Sequence, residues 1–247
     1  MSQNKKYIAT IEARMTSSRL PGKVLMEACG KPLLQHLIER EKRCTEVDDV
    51  VVATTINKED DPIVELCEHI GCSYYRGSEN DVLGRVLNTA KEFEADVIVE
   101  TTGDNPCIDW RQMDYLIRFY RNNNYDFVTN MMEQSFAEGF EFRIFSTEML
   151  EYVNDISDDP LDREHVAIYF PKHPETFKCY NWRARGREYR PDLQVTLDEM
   201  GDYLLIKNVF EALYPLNNDF QYMDVVGYLS KHKDVRAYID GIKRTVI

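Results

Sequence analysis

Three apolar runs constrain this chain more than any other feature: YIATIE at residues 7–12, DVVVATT at 49–55 and ADVIVETT at 95–102. The second and third are continuous and rich in β-branched residues, the pattern of strands covered on both faces. Helical spacing fills the gaps. In 32–44, Leu33, Leu34, Leu37 and Ile38 recur on one side, with arginine and lysine on the other. Residues 58–71 read as a helix stopped by Gly71, 81–93 as one capped by Asp81, and 110–122 as another. CSYYRG (72–77) and YDFVTN (125–130) read as shorter strands. Strands alternating with helices of about 10–15 residues mean βαβ units and a parallel sheet.

The rhythm changes after residue 131. FEFRIFS (140–146) alternates like an exposed strand, and 147–156 and 163–170 look helical. ETFKCYNWRA (175–184) reads as a strand. PDLQVTLDE (191–199) reads as a buried strand with Leu193, Val195 and Leu197 on one face, and 201–213 as a helix. The expected organisation is one α/β domain over 1–247, with 131–190 as a small antiparallel and helical insertion that offers a homodimer contact.

Charge narrows the function. Lysine and arginine number 30 against 43 aspartates and glutamates, a net charge of −13. Such a chain is a poor nucleic-acid binder, because phosphate neutralisation drives that binding. No run approaches the roughly 18 apolar residues of a membrane span. The start, MSQNKKYIAT, has no apolar leader segment, so a cytoplasmic protein is expected. The six cysteines form no CxxC and read as free thiols.

Against that acidic background, the loop after the first run stands out. It carries Arg14, Thr16, Ser17, Ser18, Arg19, Gly22 and Lys23. Guanidinium forks, hydroxyls, an ammonium and a glycine that admits close backbone approach suit a small phosphate-bearing anion. It is not a Walker loop: GxxxxGK[ST] would need Gly at 17 and Ser or Thr at 24, where Ser17 and Val24 stand. No GxGxxG is present either.

Two aspartates follow buried runs: Asp104 in TTGDNP and Asp198 in VTLDE. Each suits Mg²⁺, which takes one or two carboxylates plus substrate phosphates. Each also has a local alternative, an Asx turn before Pro106 for Asp104 and a helix N-cap for Asp198.

The stretch ARMTSSRLPGK…GKPLLQHLIER resembles the nucleotide-binding signature of cytidylyltransferases that make CMP-activated sugars, such as CMP-Kdo and CMP-sialate synthetases. The SpsF-like branch of spore coat polysaccharide synthesis is the most similar. DVLGR (81–85), ADVIVETTGDNPCID (95–109), DREHV (162–166) and LQVTLDEMGDYLLI (193–206) match it in order. The resemblance implies a Rossmann-like three-layer fold and transfer of CMP from CTP to an acidic sugar or sugar phosphate, with Mg²⁺ as cofactor. It implies Arg14, Arg19 and Lys23 as the catalytic cations. Nucleotide binding would fall to these with Ala13, Ser17, Ser18, Gly22, Asp81, Gly84, Arg85, Thr102 and Gly103, metal binding to Asp104 and Asp198, and acceptor binding to Arg163, Glu164 and His165. Glu12 stands where the family usually has Gln or Pro, and Asn105 follows the aspartate in place of Cys or Glu. A transferase using another nucleotide, or a nucleotide-sugar binding protein without turnover, are the alternatives. A glycosyltransferase would normally carry a DxD motif, and none occurs.

Overall fold

The computed structural model describes residues 5–242. Nine strands are β1 (Tyr7–Glu12), β2 (Glu27–Ala28), β3 (Lys31–Pro32), β4 (Asp49–Thr55), β5 (Ser73–Gly77), β6 (Val97–Thr102), β7 (Phe127–Thr129), β8 (Arg143–Ser146) and β9 (Cys179–Asn181). The main helices are α1 (Leu33–Glu41), α2 (Asp61–Ile70), α3 (Val82–Glu92), α4 (Trp110–Asn122) and α5 (Thr147–Ile156). They continue as α6 (Pro160–Glu164), α7 (Tyr169–Lys172), α8 (Met200–Leu213), α9 (Tyr222–Lys231) and α10 (Lys233–Arg236).

Seven strands form one sheet in the order β5-β4-β1-β6-β8-β7-β9. β1 runs parallel to β4 and β6, and β4 parallel to β5. β8 is antiparallel to both neighbours, and β9 is parallel to β7. The period-2 alternation of strand side chains sorts the core into two layers. Ile8, Val51, Ile98 and Phe145 face α3 and α5. Ala9, Val50, Val52, Val97, Val99 and Ile144 face α1, α2 and α4. The fold is therefore an α/β/α sandwich. The chain winds outward from β1 through β4 in one direction and through β6 in the other. The loops after β1 and β6 thus open side by side at the carboxyl edge, where ligands bind in such sheets.

A third apolar cluster joins Leu20, Phe140, Leu193, Val195 and Leu197 to α8 and α9. It pins the loop after β1 to the segment that ends at Asp198.

Several expectations need correction. Residues 140–146 are not an exposed strand: β8 lies inside the sheet between β6 and β7, and Ile144 and Phe145 are wholly buried. Its alternation comes from Glu141, which accepts from the Gly139 N–H at 2.7 Å, and from Arg143, which pairs with buried Glu100. Residues 131–190 thus give β8 and β9 to the main sheet. Residues 191–199 form no strand among the described residues. Glu138 and Gln194 make an isolated bridge, yet Leu193, Val195 and Leu197 are buried on one side as read. Residues 163–170 are not one helix: α6 ends at Glu164, Val166 turns to φ 38°, and α7 starts at Tyr169. By contrast, Gly71 ends α2 in the left-handed region and the Asp81 carboxylate caps α3.

Candidate active site

The loop after β1 is held in shape by acids beneath it. Asp60 accepts from the Met15 N–H at 2.6 Å, and Glu79 accepts from Thr16 Oγ1 at 2.5 Å. Gly22, at φ 73°, closes the loop by donating to Met15 O at 2.9 Å. A short 3₁₀ turn, Lys23–Leu25, follows and aims the Lys23 ammonium back toward the sheet.

A cleft of about 350 Å³ opens at this edge. Its upper wall is the basic loop: Ala13, Arg14, Ser17, Ser18, Arg19 and Lys23. Thr102, Gly103 and Asp104 enter from β6, and Asp198 from the start of α8. Arg85 closes it from α3, and Glu164 with His165 from the end of α6. Stretches separated by up to 185 residues in the sequence therefore line one space.

The two aspartates converge on Lys23. Its Nζ lies 3.4 Å from Asp104 Oδ2 and 2.9 Å from Asp198 Oδ1, and donates to Leu197 O at 2.6 Å. Arg19 reaches Asp198 Oδ1 at 2.9 Å. The local alternatives give way here. An Asx turn at Asp104 needs the N–H of residue 106, which is proline; the carboxylate instead accepts from Thr102 Oγ1 at 2.5 Å. The N-cap of α8 is Glu199, in a capping box with Asp202, which leaves Asp198 turned into the cleft. Two carboxylates around one ammonium are residues that could hold a hard divalent cation together with substrate phosphates, though no cluster of three or more His, Cys, Asp or Glu suited to a metal occurs among the described residues.

Four expected residues lie outside the lining. Gly22 shapes the loop. The Asp81 carboxylate accepts from the Gly84 N–H at 3.0 Å and from Arg163 Nη2 at 2.8 Å. That trio ties the start of α3 to α6. A Cβ on Gly84 would clash with the Asp81 carboxylate, so glycine suits the cap.

The floor holds charges that the sequence reading missed: Glu12, Glu100 and Arg143. Arg143 Nη1 lies 3.3 Å from Glu100 Oε1 across the β6–β8 pairing. Burial pushes the Glu12 carboxyl well above the usual carboxylate range, and Glu100 pushes it the same way. Burial also raises Glu100, against the pull of Arg143. Burial and their mutual repulsion therefore both favour the protonated form of this pair, while Arg143 opposes it. All three side chains sit on strands, Glu100 inside a run that reads as covered on both faces; that Glu12, Glu100 and Arg143 meet at one cleft floor shows only once the sheet is assembled.

A Rossmann-like sheet with a basic loop at its switch point and two convergent carboxylates defines a nucleotidyltransferase-type site. The comparisons make the class specific. The cytidylyltransferase family model matches residues 8–236, and the chain belongs to that family of CTP-dependent nucleotidyltransferases. The spore coat polysaccharide biosynthesis protein SpsF of Bacillus subtilis is 30% identical over 81% of this chain and 85% of its own. A 3-deoxy-manno-octulosonate cytidylyltransferase of Geobacter metallireducens is 30% identical over 87% of this chain and 76% of its own. The structure of a cytidylyltransferase from Leptospira borgpetersenii superposes with a TM-score of 0.90 at 31% identity, over 98% of this chain and 100% of that one.

Proposed function

We propose that this protein transfers CMP from CTP to an acidic sugar or sugar phosphate, releasing pyrophosphate, for cell-surface glycan synthesis. The observation that carries the reading is the convergence of the basic loop with Asp104 and Asp198 in one cleft. The relatives that act on 3-deoxy-manno-octulosonate or serve spore coat polysaccharide support the acceptor class.

The chemistry follows from the charges. Arg14, Arg19 and Lys23 would bind the triphosphate, with Ser17 and Ser18 adding hydroxyl donors. Backbone groups of Ala13 and Arg14 would face the cytosine. An acceptor oxygen would attack the α-phosphorus in line; the new O–P bond forms as the bond to the β-phosphate oxygen breaks. Negative charge then grows on pyrophosphate, beside Lys23 and the two arginines, where preorganised cations lower the barrier most. Asp104 and Asp198 would hold Mg²⁺, which when bound polarises the phosphoryl oxygens. Glu164 and His165, at the far end of the cleft, would meet the acceptor. The reading includes a homodimer through residues 131–190, where Met131, Met132 and Tyr189 are exposed; light scattering coupled to size exclusion tests it.

Pyrophosphate release in Mg²⁺, with each of the four nucleoside triphosphates and a panel of acidic sugars and sugar phosphates, tests the activity. Release with CTP and one acceptor is expected. Release with another nucleotide alone, or CTP binding without release for any acceptor, would overturn the reading.

A further inference from the structure

The carboxylates suited to a metal are held by the cations suited to the nucleotide. All three protons of the Lys23 ammonium are committed, to Leu197 O at 2.6 Å, Asp198 Oδ1 at 2.9 Å and Asp104 Oδ2 at 3.4 Å. The Lys23 side chain is only 12% exposed. Arg19 adds a second positive charge on Asp198 Oδ1 at 2.9 Å.

This arrangement resists either ligand alone. A divalent cation arriving by itself meets an ammonium that already occupies both carboxylates. A free triphosphate must pull Lys23 and Arg19 away, leaving two part-buried carboxylates uncompensated beside its own negative charge. When both arrive, the exchange balances: the cations move to the phosphates and the metal takes the aspartates.

We propose that Lys23, assisted by Arg19, is an internal counter-cation that locks the Asp104–Asp198 pair against free metal and free nucleotide, so that the site admits them only as a metal–nucleotide complex. This rests on the functional reading above. Lys23 thereby sets which form of the nucleotide is accepted, beyond neutralising its phosphates. Removing it should have opposite effects on the two ligands, which a merely structural or phosphate-binding lysine would not produce.

The test is a Mn²⁺ titration of the full chain without nucleotide, read from the electron paramagnetic resonance signal of free Mn²⁺. Lys23→Met should bind one Mn²⁺ at least about tenfold more tightly than wild type, since one opposing charge at contact distance shifts ion affinity by roughly one to three decades. The gain should vanish in Lys23→Met/Asp104→Asn, and Lys23→Gln should reproduce it if the first variant folds poorly. In Mn²⁺, Lys23→Met should bind CTP more weakly than wild type. Mn²⁺ binding no tighter in either Lys23 variant, or a gain that survives Asp104→Asn, would overturn the lock. Failure of wild type to bind CTP in Mn²⁺ would instead overturn the functional reading, since the nucleotide-free comparison does not depend on it.

Discussion

Asp104 and Arg143 show two ways in which one residue matters here. Asp104 is partly open and touches Thr102 and Lys23. Asp104→Asn should lower CTP-dependent pyrophosphate release by about 10²-fold or more, the range for losing one electrostatic contact at a reacting centre. Its thermal midpoint should barely move. Arg143 is different, because it neutralises a glutamate that is 2% exposed. Arg143→Met leaves Glu100 buried and unpaired, and should cost about 3–5 kcal/mol in urea unfolding. Adding Glu100→Gln should recover most of that loss. Asp104 was readable from the sequence because a polar residue straight after a buried run marks the carboxyl end of a strand. Arg143 was not: its strand sits in a segment with no βαβ rhythm, and its partner lies 43 positions away.

Elements decide where Asp198 stands. The segment 193–197 carries it, fixed by Val195 N to Glu138 O at 2.8 Å and by Leu197 N to Asp104 O at 2.8 Å. Gly139 makes this crossing possible. Its φ is 102°, and a Cβ there would meet the Val195 carbonyl carbon at 2.7 Å. Gly139→Ala should therefore destabilise the protein by at least about 2 kcal/mol, measured by denaturant unfolding. Activity should fall further than stability explains, because the segment must shift. The core strands β1, β4 and β6 were readable because long β-branched runs admit few other conformations. β8 was misread as exposed, since alternation cannot tell water from a buried ion pair as the partner of its arginine. The break at 165–168 had no signal: Val166 adopts a positive φ that its β-branched side chain does not favour. Tertiary packing imposes it, and with it the placement of His165 at the cleft.

The whole molecule has its own pH response. Glu41 on α1 lies beneath β6, where burial pushes its carboxyl up to about 8. Thr101 Oγ1 lies 2.7 Å from Glu41 Oε1 and 3.1 Å from Thr10 O. Thr101 donates to Glu41 Oε1, and Glu41 Oε2 is buried with no hydrogen-bond partner among the described residues, so burial outweighs this one donor. The folded state thus holds a proton that the unfolded state releases near the ordinary value of 4.5. Stability is therefore lost as pH rises from about 4.5 to 8, and levels off above. Glu41→Gln should flatten that decline and raise stability at pH 8 by about 2 kcal/mol, checked by urea unfolding across the range.

The three-layer sandwich was readable from its first half alone, because one sheet with two apolar faces leaves few ways to close. How residues 131–199 wrap the cleft was not, since that path depends on contacts between distant segments. The central claim is that this cleft breaks CTP at the α-phosphorus. Transfer of label from CTP carrying ³²P at either the α or the γ position tests it most directly. With Mg²⁺ and an accepted sugar, α-label should appear on the sugar and γ-label only in pyrophosphate. γ-Label on the sugar, or α-label that never leaves the nucleotide for any acceptor, would contradict the account.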